Sequence, residues 1–200
     1  MLRTNSLLNE KIGPKLYFTT ADLGRVFDIK SGSARVMASR YASAGIFMRI
    51  KKDVYVLASN WRTYTLEQFM QLANIIQVPS FVSLMTALSY YGVTTQVQRN
   101  VIECMAQKRT VNYNIKGAVF NYYKLKKQYY FGFARLDSSG VFISSKEKAL
   151  VDALYLYSFG KYKIDIDALN IAKLDSGVIR KIIRIYPNRT RKIVKSLCRI

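Results

Sequence analysis

The chain has 200 residues, 50% of them hydrophobic, which is enough to fold as one large or two small domains. Its 32 Lys and Arg side chains outnumber 12 Asp and Glu, and the net charge of +20 favours polyanionic partners such as nucleic acid. The absence of histidine removes the commonest general base and the commonest metal ligand. Cys104 and Cys198 are too far apart in sequence to make a zinc site unaided. We therefore expect neither a metal nor a cofactor.

The location of the protein follows from what the sequence lacks. Residues 1–5 do not begin the apolar run of a signal peptide, and no stretch approaches the roughly 18 apolar residues that cross a bilayer. Two isolated cysteines suit a reducing compartment. These features predict a cytoplasmic protein with no membrane partner.

Residues 1–60 have the pattern of a winged helix-turn-helix domain. The predicted helices cover residues 2–12, Thr19 or Thr20 to Phe27, and Ser31 or Ser33 to Ala44, with Gly45 ending the last. Two predicted strands follow, Ile46–Ile50 and Val54–Leu57, joined by a turn at residues 51–53. This order of helix, turn, helix and hairpin is typical of DNA-binding modules.

The helix that ends at Ala44 has an apolar face and a polar face. Its predicted buried residues recur at helical spacing: Ala34, Met37, Ala38, Tyr41 and Ala44. Its candidate DNA-reading residues are Arg35, Val36, Ser39, Arg40 and Ser43. Arg35 is suited to pair with guanine and Val36 to touch a thymine methyl group. The alternative is that Arg35 and Arg40 only solvate a surface helix.

The predicted hairpin is basic near its turn. Arg49, Lys51 and Lys52 are candidates for contacts with phosphates or the minor groove. Arg25 and Lys30 flank the preceding helices and are further candidates for phosphate contacts. A solubilising turn rich in lysine is the alternative interpretation.

Residues 64–200 are predicted to form a mixed α/β domain ending in helices, so the expected fold class of the chain is α+β. The predicted elements are helices at Thr65–Gln77 and Phe81–Tyr91 and strands at Val101–Ala106, Val119–Leu125 and Gly140–Ile143. Ser144 and Glu147 predict a capping box for a helix that ends at Phe159. Two or three short helices are expected from Asp167 onwards, one of them ending at Pro187.

The tail over residues 178–200 is basic and amphipathic, with no acidic residue. Its candidate binding surface consists of Arg180, Lys181, Arg184, Arg189, Arg191, Lys192 and Lys195. A second DNA contact, an acidic or RNA partner, and a merely solvated helical face all remain open for this surface.

Fragments of the sequence imitate a nucleotidyltransferase site. Gly32 and Ser33 resemble its glycine-serine pair, and Asp165 and Asp167 resemble its metal-binding carboxylates. That chemistry needs both elements side by side at the phosphates, whereas here they fall in different predicted domains. No glycine loop is present to cradle phosphate, and no histidine is present to activate a serine. We therefore predict no catalytic residues and no enzyme activity.

Three stretches resemble the AbiEi family, the antitoxins of AbiE-type (type IV) toxin–antitoxin and abortive-infection systems. They are residues 18–56, 79–93 and 144–155, and their order and spacing carry the likeness. Asp53 departs from the family, which often has glycine in the wing turn. The resemblance implies that the winged helix binds repeats in double-stranded promoter DNA and represses its own operon. It also implies that residues 64–200 counter a cognate toxin resembling nucleotidyltransferases, as a functional rather than a tight partner.

A second function stays open beside this one. The same features are also those of a winged-helix transcriptional regulator or an RNA-binding adaptor, unrelated to a toxin. The domain over residues 64–200 then docks a partner or a ligand.

Overall fold

The structure, a computed structural model, describes Leu8, residues 10–96 and residues 100–200. The chain divides into two compact units: unit 1 ends at Gln68, and unit 2 runs from Phe69 to Ile200. Both contain helices and strands, so the fold class is mixed α+β. Over these described ranges, no helix is both long enough and apolar enough to cross a membrane.

From Thr20 onwards, the described part of unit 1 contains two α-helices followed by a two-stranded antiparallel sheet. Its elements are α1 (Thr20–Phe27), α2 (Ser31–Ser43), β1 (Phe47–Lys51), β2 (Val54–Leu57) and a 3-10 helix (Ala58–Thr63). Thr19 caps α1 in a reciprocal box: its hydroxyl accepts the Asp22 N–H, and the Asp22 carboxylate accepts the Thr19 N–H at 2.9 Å. The chain direction into α1 is thereby fixed.

The start of α2 differs from the sequence prediction. Its N-cap is Lys30, without a side-chain capping bond, rather than Ser31 or Ser33. Gly45 follows the helix at φ 71, a conformation that costs glycine no steric strain. Most of the helix predicted for residues 2–12 lies outside the described residues, of which Leu8 and 10–12 are helical.

Phe18 holds the core of unit 1 together. Its backbone exchanges two hydrogen bonds of 2.9 Å with Tyr55, and its ring meets Phe47 edge-on at 4.7 Å. The other buried members of this core are Leu8, Ile12, Leu23, Ala34, Ala38 and Leu57. Because the hairpin and both helices share these side chains, the hairpin is positioned against α2 by close packing.

In the described residues of unit 2, six strands form a mixed sheet with the order β5-β6-β4-β3-β8-β7. The strands are β3 (Ser80–Val82), β4 (Val101–Ala106), β5 (Val111–Ile115), β6 (Ala118–Lys124), β7 (Phe133–Arg135) and β8 (Phe142–Ser144). The β4·β6 and β3·β8 pairs are parallel, and the other pairs are antiparallel.

The part of unit 2 that the structure describes has five α-helices. They are α3 (Leu66–Ile76), which begins at the unit boundary, α4 (Leu84–Tyr90), α5 (Lys146–Ser158), α6 (Ser176–Ile183) and α7 (Asn188–Cys198). Short 3-10 helices lie at Lys127–Tyr129 and Ile171–Lys173. Ten of the 13 residues of α5 are buried, because α4, α6 and α7 all pack against it.

Two sequence predictions for unit 2 are wrong at element boundaries. The helix predicted from Phe81 begins only at Leu84, because Ser80–Val82 pair with β4 as a strand. The N-cap of α5 is Ser145, whose hydroxyl accepts the Lys148 N–H at 3.2 Å, rather than Ser144. Glu147 therefore completes no capping box and instead accepts the Asp175 N–H at 3.2 Å.

Candidate nucleic-acid interface

The outward face of α2 carries the five residues predicted to read DNA. Arg35, Val36, Ser39, Arg40 and Ser43 are all exposed. The apolar residue Val36 exposes 57% of its surface on this face, so it is accessible to a partner.

The inward face of α2 anchors the helix. Ala34 and Ala38 are fully buried, while Met37 and Tyr41 are half-buried. Ala44, predicted to be buried, is exposed because it is the C-cap and lies beyond the last helical residue.

A shallow depression of about 550 Å³ runs along α2. Val36, Met37, Arg40 and Tyr41 line it, together with Gly32 at its N-terminal end. A Cβ atom at Gly32 would meet no atom within 4 Å, so this position is small and open. Another molecule can approach the backbone of α2 closely here.

A second depression, of about 490 Å³, joins α2 to the hairpin. Its lining consists of Thr20, Arg35, Arg49, Lys52, Asp53 and Tyr55, and we call it the cationic cleft. It brings one predicted base-reading residue, Arg35, together with two of the three predicted hairpin cations. The Arg49 Nε donates to the Lys51 carbonyl oxygen at 3.3 Å, which holds the guanidinium beside the turn.

The hairpin cations differ in exposure. Arg49 and Lys52 are exposed, whereas Lys51 is half-buried. Lys52 is therefore the lysine of this turn that a phosphate reaches more freely.

Asp53 holds the hairpin turn in place. Its φ of 60 lies in the left-handed region, which aspartate tolerates better than most residues. Its Oδ1 accepts hydrogen bonds from the Thr20 N–H at 3.1 Å and the Thr20 hydroxyl at 2.6 Å. Asp53 stands where the AbiEi family often has glycine. It thus adopts a glycine-like conformation and also connects the turn to Thr20.

Arg25 forms a surface ion pair with a neighbouring carboxylate. Its Nη2 lies 3.0 Å from the Asp22 Oδ1, which also accepts the Lys15 Nζ at 3.0 Å. Burial opposes the charged form of Asp22, but hydrogen bonds from Thr19 and Lys15 prevail and lower its pKa to about 2. Arg25 offers less free charge than Lys30, which is exposed at the N-cap of α2.

The seven basic residues predicted to form a C-terminal surface lie on or beside α6 and α7. Six are exposed: Arg180, Lys181, Arg184, Arg189, Lys192 and Lys195. Arg191 is half-buried, and its Nε has no hydrogen-bond partner among the residues the structure describes. Ile179, Ile183 and Val194 point their apolar surface into unit 2.

The fragments that imitate a nucleotidyltransferase lie in different units. Gly32 and Ser33 belong to α2 in unit 1. Asp165 and Asp167 are exposed in unit 2, and the Asp165 Oδ2 accepts the Gln96 Nε2 at 2.7 Å. Across the described part of the chain, no three side chains of His, Cys, Asp or Glu gather to hold a metal ion.

A buried polar network in unit 2 was not predicted in full. Lys148 and Asp152 form an ion pair on α5, and both side chains are completely buried. Asp152 also accepts the Ser83 hydroxyl at 3.1 Å and the Tyr186 hydroxyl at 3.0 Å. The rings of Phe81 and Tyr186 lie 5.6 and 5.8 Å from the Lys148 Nζ.

The electrostatics of this pair follow from burial. Burial lowers the pKa of Lys148 and raises that of Asp152, and the attraction between the two groups opposes both shifts. The signal in the sequence was the spacing of four residues, which places both side chains on one face of a helix. With no solvent access, the network links strand, helix and tail rather than a ligand.

Glu103 on β4 is a second buried acid that sequence reasoning missed. It is 2% exposed and accepts the Tyr162 hydroxyl at 2.7 Å and the Met85 N–H at 3.1 Å. Burial raises its pKa to about 7, although these two hydrogen bonds act in the opposite direction.

Comparison with known proteins gives a fold likeness and no family. No family model and no curated protein match the chain. The crystal structure of the Rv2827c protein from Mycobacterium tuberculosis is similar, with a TM-score of 0.65 at 12% identity over 99% of this chain and 75% of that one. At this identity the likeness concerns the fold alone. The chain is thus an α+β protein of two units whose fold is similar to that of this mycobacterial protein.

Proposed function

We propose that unit 1 is a winged helix-turn-helix that binds double-stranded promoter DNA and represses transcription of its own operon. The cationic cleft carries this proposal, because Arg35 on α2 faces the same space as Arg49 and Lys52 on the hairpin. A recognition helix followed by a basic hairpin is the arrangement with which winged helices meet a groove and its flanking phosphates.

In this proposal α2 enters the major groove. Its buried alanines hold it against the core, and its small exposed residues, Ser39 and Ser43, allow close approach to base edges. Arg35 pairs with guanine, and Val36 covers a thymine methyl group. Arg49 and Lys52 bind phosphates, which fixes the register of the helix on the duplex.

We further propose that the whole chain is the cytoplasmic antitoxin of a type IV toxin–antitoxin system. Two observations support this proposal. The chain resembles AbiEi antitoxins, and Asp53, at the position where that family often has glycine, adopts the positive φ that the hairpin turn needs. Unit 2 counters a nucleotidyltransferase-like toxin without forming a tight complex with it.

DNA binding is tested by fluorescence anisotropy of the full-length chain on promoter DNA and on a scrambled duplex, at several salt concentrations. Arg35→Ala should lower discrimination between the two duplexes by about tenfold, as expected for one lost pair of base contacts. Lys52→Ala should weaken both complexes equally and reduce the salt dependence by about one phosphate contact. Arg62→Ala, which removes an exposed cation that does not line the cleft, is the matched control. Equal affinity of the wild-type chain for both duplexes would refute the proposal.

The antitoxin role needs a separate assay. Co-expression of the full-length chain with the reading frame adjacent to its gene should restore growth that this reading frame alone arrests. Arg35→Ala should keep the rescue while losing repression of a promoter reporter. Failure of rescue by the wild-type chain refutes the antitoxin role and leaves the DNA titrations untouched.

The basic surface of α6 and α7 favours a second candidate, a winged-helix regulator or RNA-binding adaptor unrelated to a toxin. Six exposed cations on two adjacent helices suit a phosphate backbone. Two results together would favour this candidate. The adjacent reading frame would not affect growth, and reversal of these charges would abolish RNA binding.

A further inference from the structure

Unit 2 contains a cleft that none of the proposed DNA contacts uses. A cavity of about 660 Å³ is lined by Thr110, Tyr123, Lys124, Lys126, Tyr155 and Lys161. A smaller one of about 230 Å³, which shares most of these residues, extends to Phe159 and Pro187. The larger volume falls within the range of about 300 to 1,000 Å³ that is usual for small-molecule sites. We call this feature the lysine cleft.

Three unpaired cations line the lysine cleft. Lys124, Lys126 and Lys161 are exposed, and among the described residues none of them takes part in an ion pair. Unit 2 has 21 Lys and Arg against 7 Asp and Glu, and three of those acids, Glu103, Glu147 and Asp152, are buried. The cleft is therefore suited to a ligand with several negative charges, such as a phosphate chain.

The cleft also has an aromatic wall whose geometry is set by packing. The ring of Tyr155 meets those of Tyr129, Phe159 and Tyr186 edge-on, with centroids 5.2, 5.3 and 5.6 Å away. These contacts fix the orientation of the ring before any ligand arrives. A flat aromatic ligand stacks on such a platform with little loss of side-chain entropy.

Tyr123 adds a neutral polar group to the same wall. Its ring contacts Tyr162 edge-on at 5.6 Å. Burial and the nearby Glu103 raise the pKa of Tyr123 to about 12, so its hydroxyl keeps its proton near neutral pH and can donate to an acceptor on the ligand.

Two carbonyl groups at the end of α5 are occupied by backbone hydrogen bonds. The Leu156 carbonyl accepts the N–H groups of Phe159 at 3.2 Å and Lys161 at 2.9 Å, and the Tyr157 carbonyl accepts Gly160 at 2.9 Å. These bonds satisfy acceptors that would otherwise repel phosphate. They also hold the backbone of Lys161 at the rim of the cleft.

We propose that the lysine cleft binds a nucleotide, with its base stacked on Tyr155 and its phosphates between Lys124, Lys126 and Lys161. A free nucleoside triphosphate and an unpaired nucleotide of an RNA strand carry this chemistry alike. The inference goes beyond the proposed DNA binding and is independent of it, because every residue involved belongs to unit 2.

The test is calorimetric titration of the full-length chain with ATP, adenosine and pyrophosphate, and anisotropy with a short single-stranded RNA. We expect ATP to bind more tightly than adenosine or pyrophosphate, since only ATP supplies both the base and the phosphates. Replacing Lys124, Lys126 and Lys161 by Gln should weaken binding by about tenfold or more. Replacing Lys108, Lys127 and Lys163 by Gln removes the same charge from exposed positions that line neither the cleft nor the surface of α6 and α7, and is the matched control.

Substitution of Tyr155 separates stacking from charge. Tyr155→Phe should keep nucleotide affinity, whereas Tyr155→Ala should weaken ATP or RNA by roughly tenfold and leave pyrophosphate binding unchanged. Unchanged pyrophosphate binding also shows that the variant is folded.

Each outcome decides the inference. Cleft-dependent binding of ATP identifies a free nucleotide as the ligand, and cleft-dependent binding of RNA alone identifies a nucleotide within a strand. Equal losses in the two triple-lysine variants, or no binding of either probe by the wild-type chain, would overturn the proposal.

Discussion

The carboxylate of Asp53 is bonded twice to Thr20, to its N–H at 3.1 Å and to its hydroxyl at 2.6 Å. Thr20 is the first residue of α1, and Asp53 lies in the turn between β1 and β2, so the pair connects the hairpin turn to a helix 33 residues earlier. The same carboxylate stands in the cationic cleft with Arg35, Arg49 and Lys52. It therefore fixes the shape of the cleft and weakens its positive field.

The first prediction concerns this charge. Asp53→Asn keeps an Oδ1 acceptor for Thr20 and tolerates a positive φ, but it removes the negative charge. Affinity for a scrambled duplex should rise about two- to fivefold, as expected for one charge in an exposed, screened site. Anisotropy titrations at low salt measure this gain. Asp28→Asn is the matched control, because Asp28 is exposed in unit 1 with a φ of 49. An equal gain for both variants would contradict a local effect in the cleft.

The second prediction concerns Val36. Its exposed side chain is expected to cover a thymine methyl group, so Val36→Ser should weaken promoter binding by about 1 kcal/mol. Promoter DNA with uracil in place of thymine lacks that methyl group. The substitution should then have little further effect, and anisotropy titrations in a two-by-two design measure this coupling.

Stability provides the control for Val36→Ser. Because Val36 is exposed, the free energy of unfolding should change by less than about 0.5 kcal/mol. Additive losses from the protein and DNA changes would show that Val36 contacts no thymine methyl.

The third prediction concerns the ion pair of Lys148 and Asp152. Lys148→Met leaves a buried carboxylate without its cation and should lower the free energy of unfolding by about 3 to 5 kcal/mol. Adding Asp152→Asn removes that charge while keeping an acceptor for Ser83 and Tyr186. The double variant should therefore be more stable than Lys148→Met alone, as urea unfolding followed by far-UV circular dichroism would measure.

A surface lysine serves as the control for this pair. Lys163→Met removes an exposed cation from the same unit and should change stability by less than about 0.5 kcal/mol. If the two single losses at Lys148 and Asp152 simply add in the double variant, the pair is not energetically coupled.

The fourth prediction concerns pH. Burial raises the pKa of Glu103 in the folded chain to about 7, from a usual value of 4.5, so the folded state prefers its protonated form. This contribution is fully present below pH 4.5 and is lost as the pH rises through about 7, a change of about 3 kcal/mol. Glu103→Gln removes the ionisation and should lose less stability than the wild type over that interval.

Urea unfolding at several pH values between 4.5 and 7 measures this difference. Asp137→Asn, which changes an exposed acid in unit 2, should follow the wild-type pH profile. A Glu103→Gln profile parallel to that of the wild type would contradict a raised pKa.

Local signals in the sequence located most elements of unit 1. Gly45 and the alternation of residues 46–57 predicted the end of α2 and the hairpin, because these signals act over a few residues. The tether between Thr20 and Asp53 was not predictable, since it joins positions that only the tertiary fold brings together. In unit 2, β5 was missed because its residues are half-buried or exposed and form an edge strand without an apolar run.

For the candidate site, too, the sequence indicated individual residues but not the long-range contacts between them. Arg35, Arg49 and Lys52 were singled out by charge and position, and the structure places them around one cleft. The lysine cleft draws on Thr110 before β5, on β6 and α5, and on the segments that follow those two elements, so no single stretch of sequence carries its pattern. Two partners of Asp152, Ser83 and Tyr186, lie 69 and 34 residues away along the chain. The spacing of Lys148 and Asp152 on one helix therefore did not indicate that they belong to a larger buried network.

The buried pair on α5 also constrains how this sequence can diverge. Replacing Lys148 by an apolar residue leaves the buried carboxylate of Asp152 without a cation. The two positions are therefore expected to change together or not at all. Related proteins should therefore show either both charges, four residues apart, or neither. A relative with only one of the two charges should also carry a second change near Ser83 or Tyr186 that compensates for the lost partner.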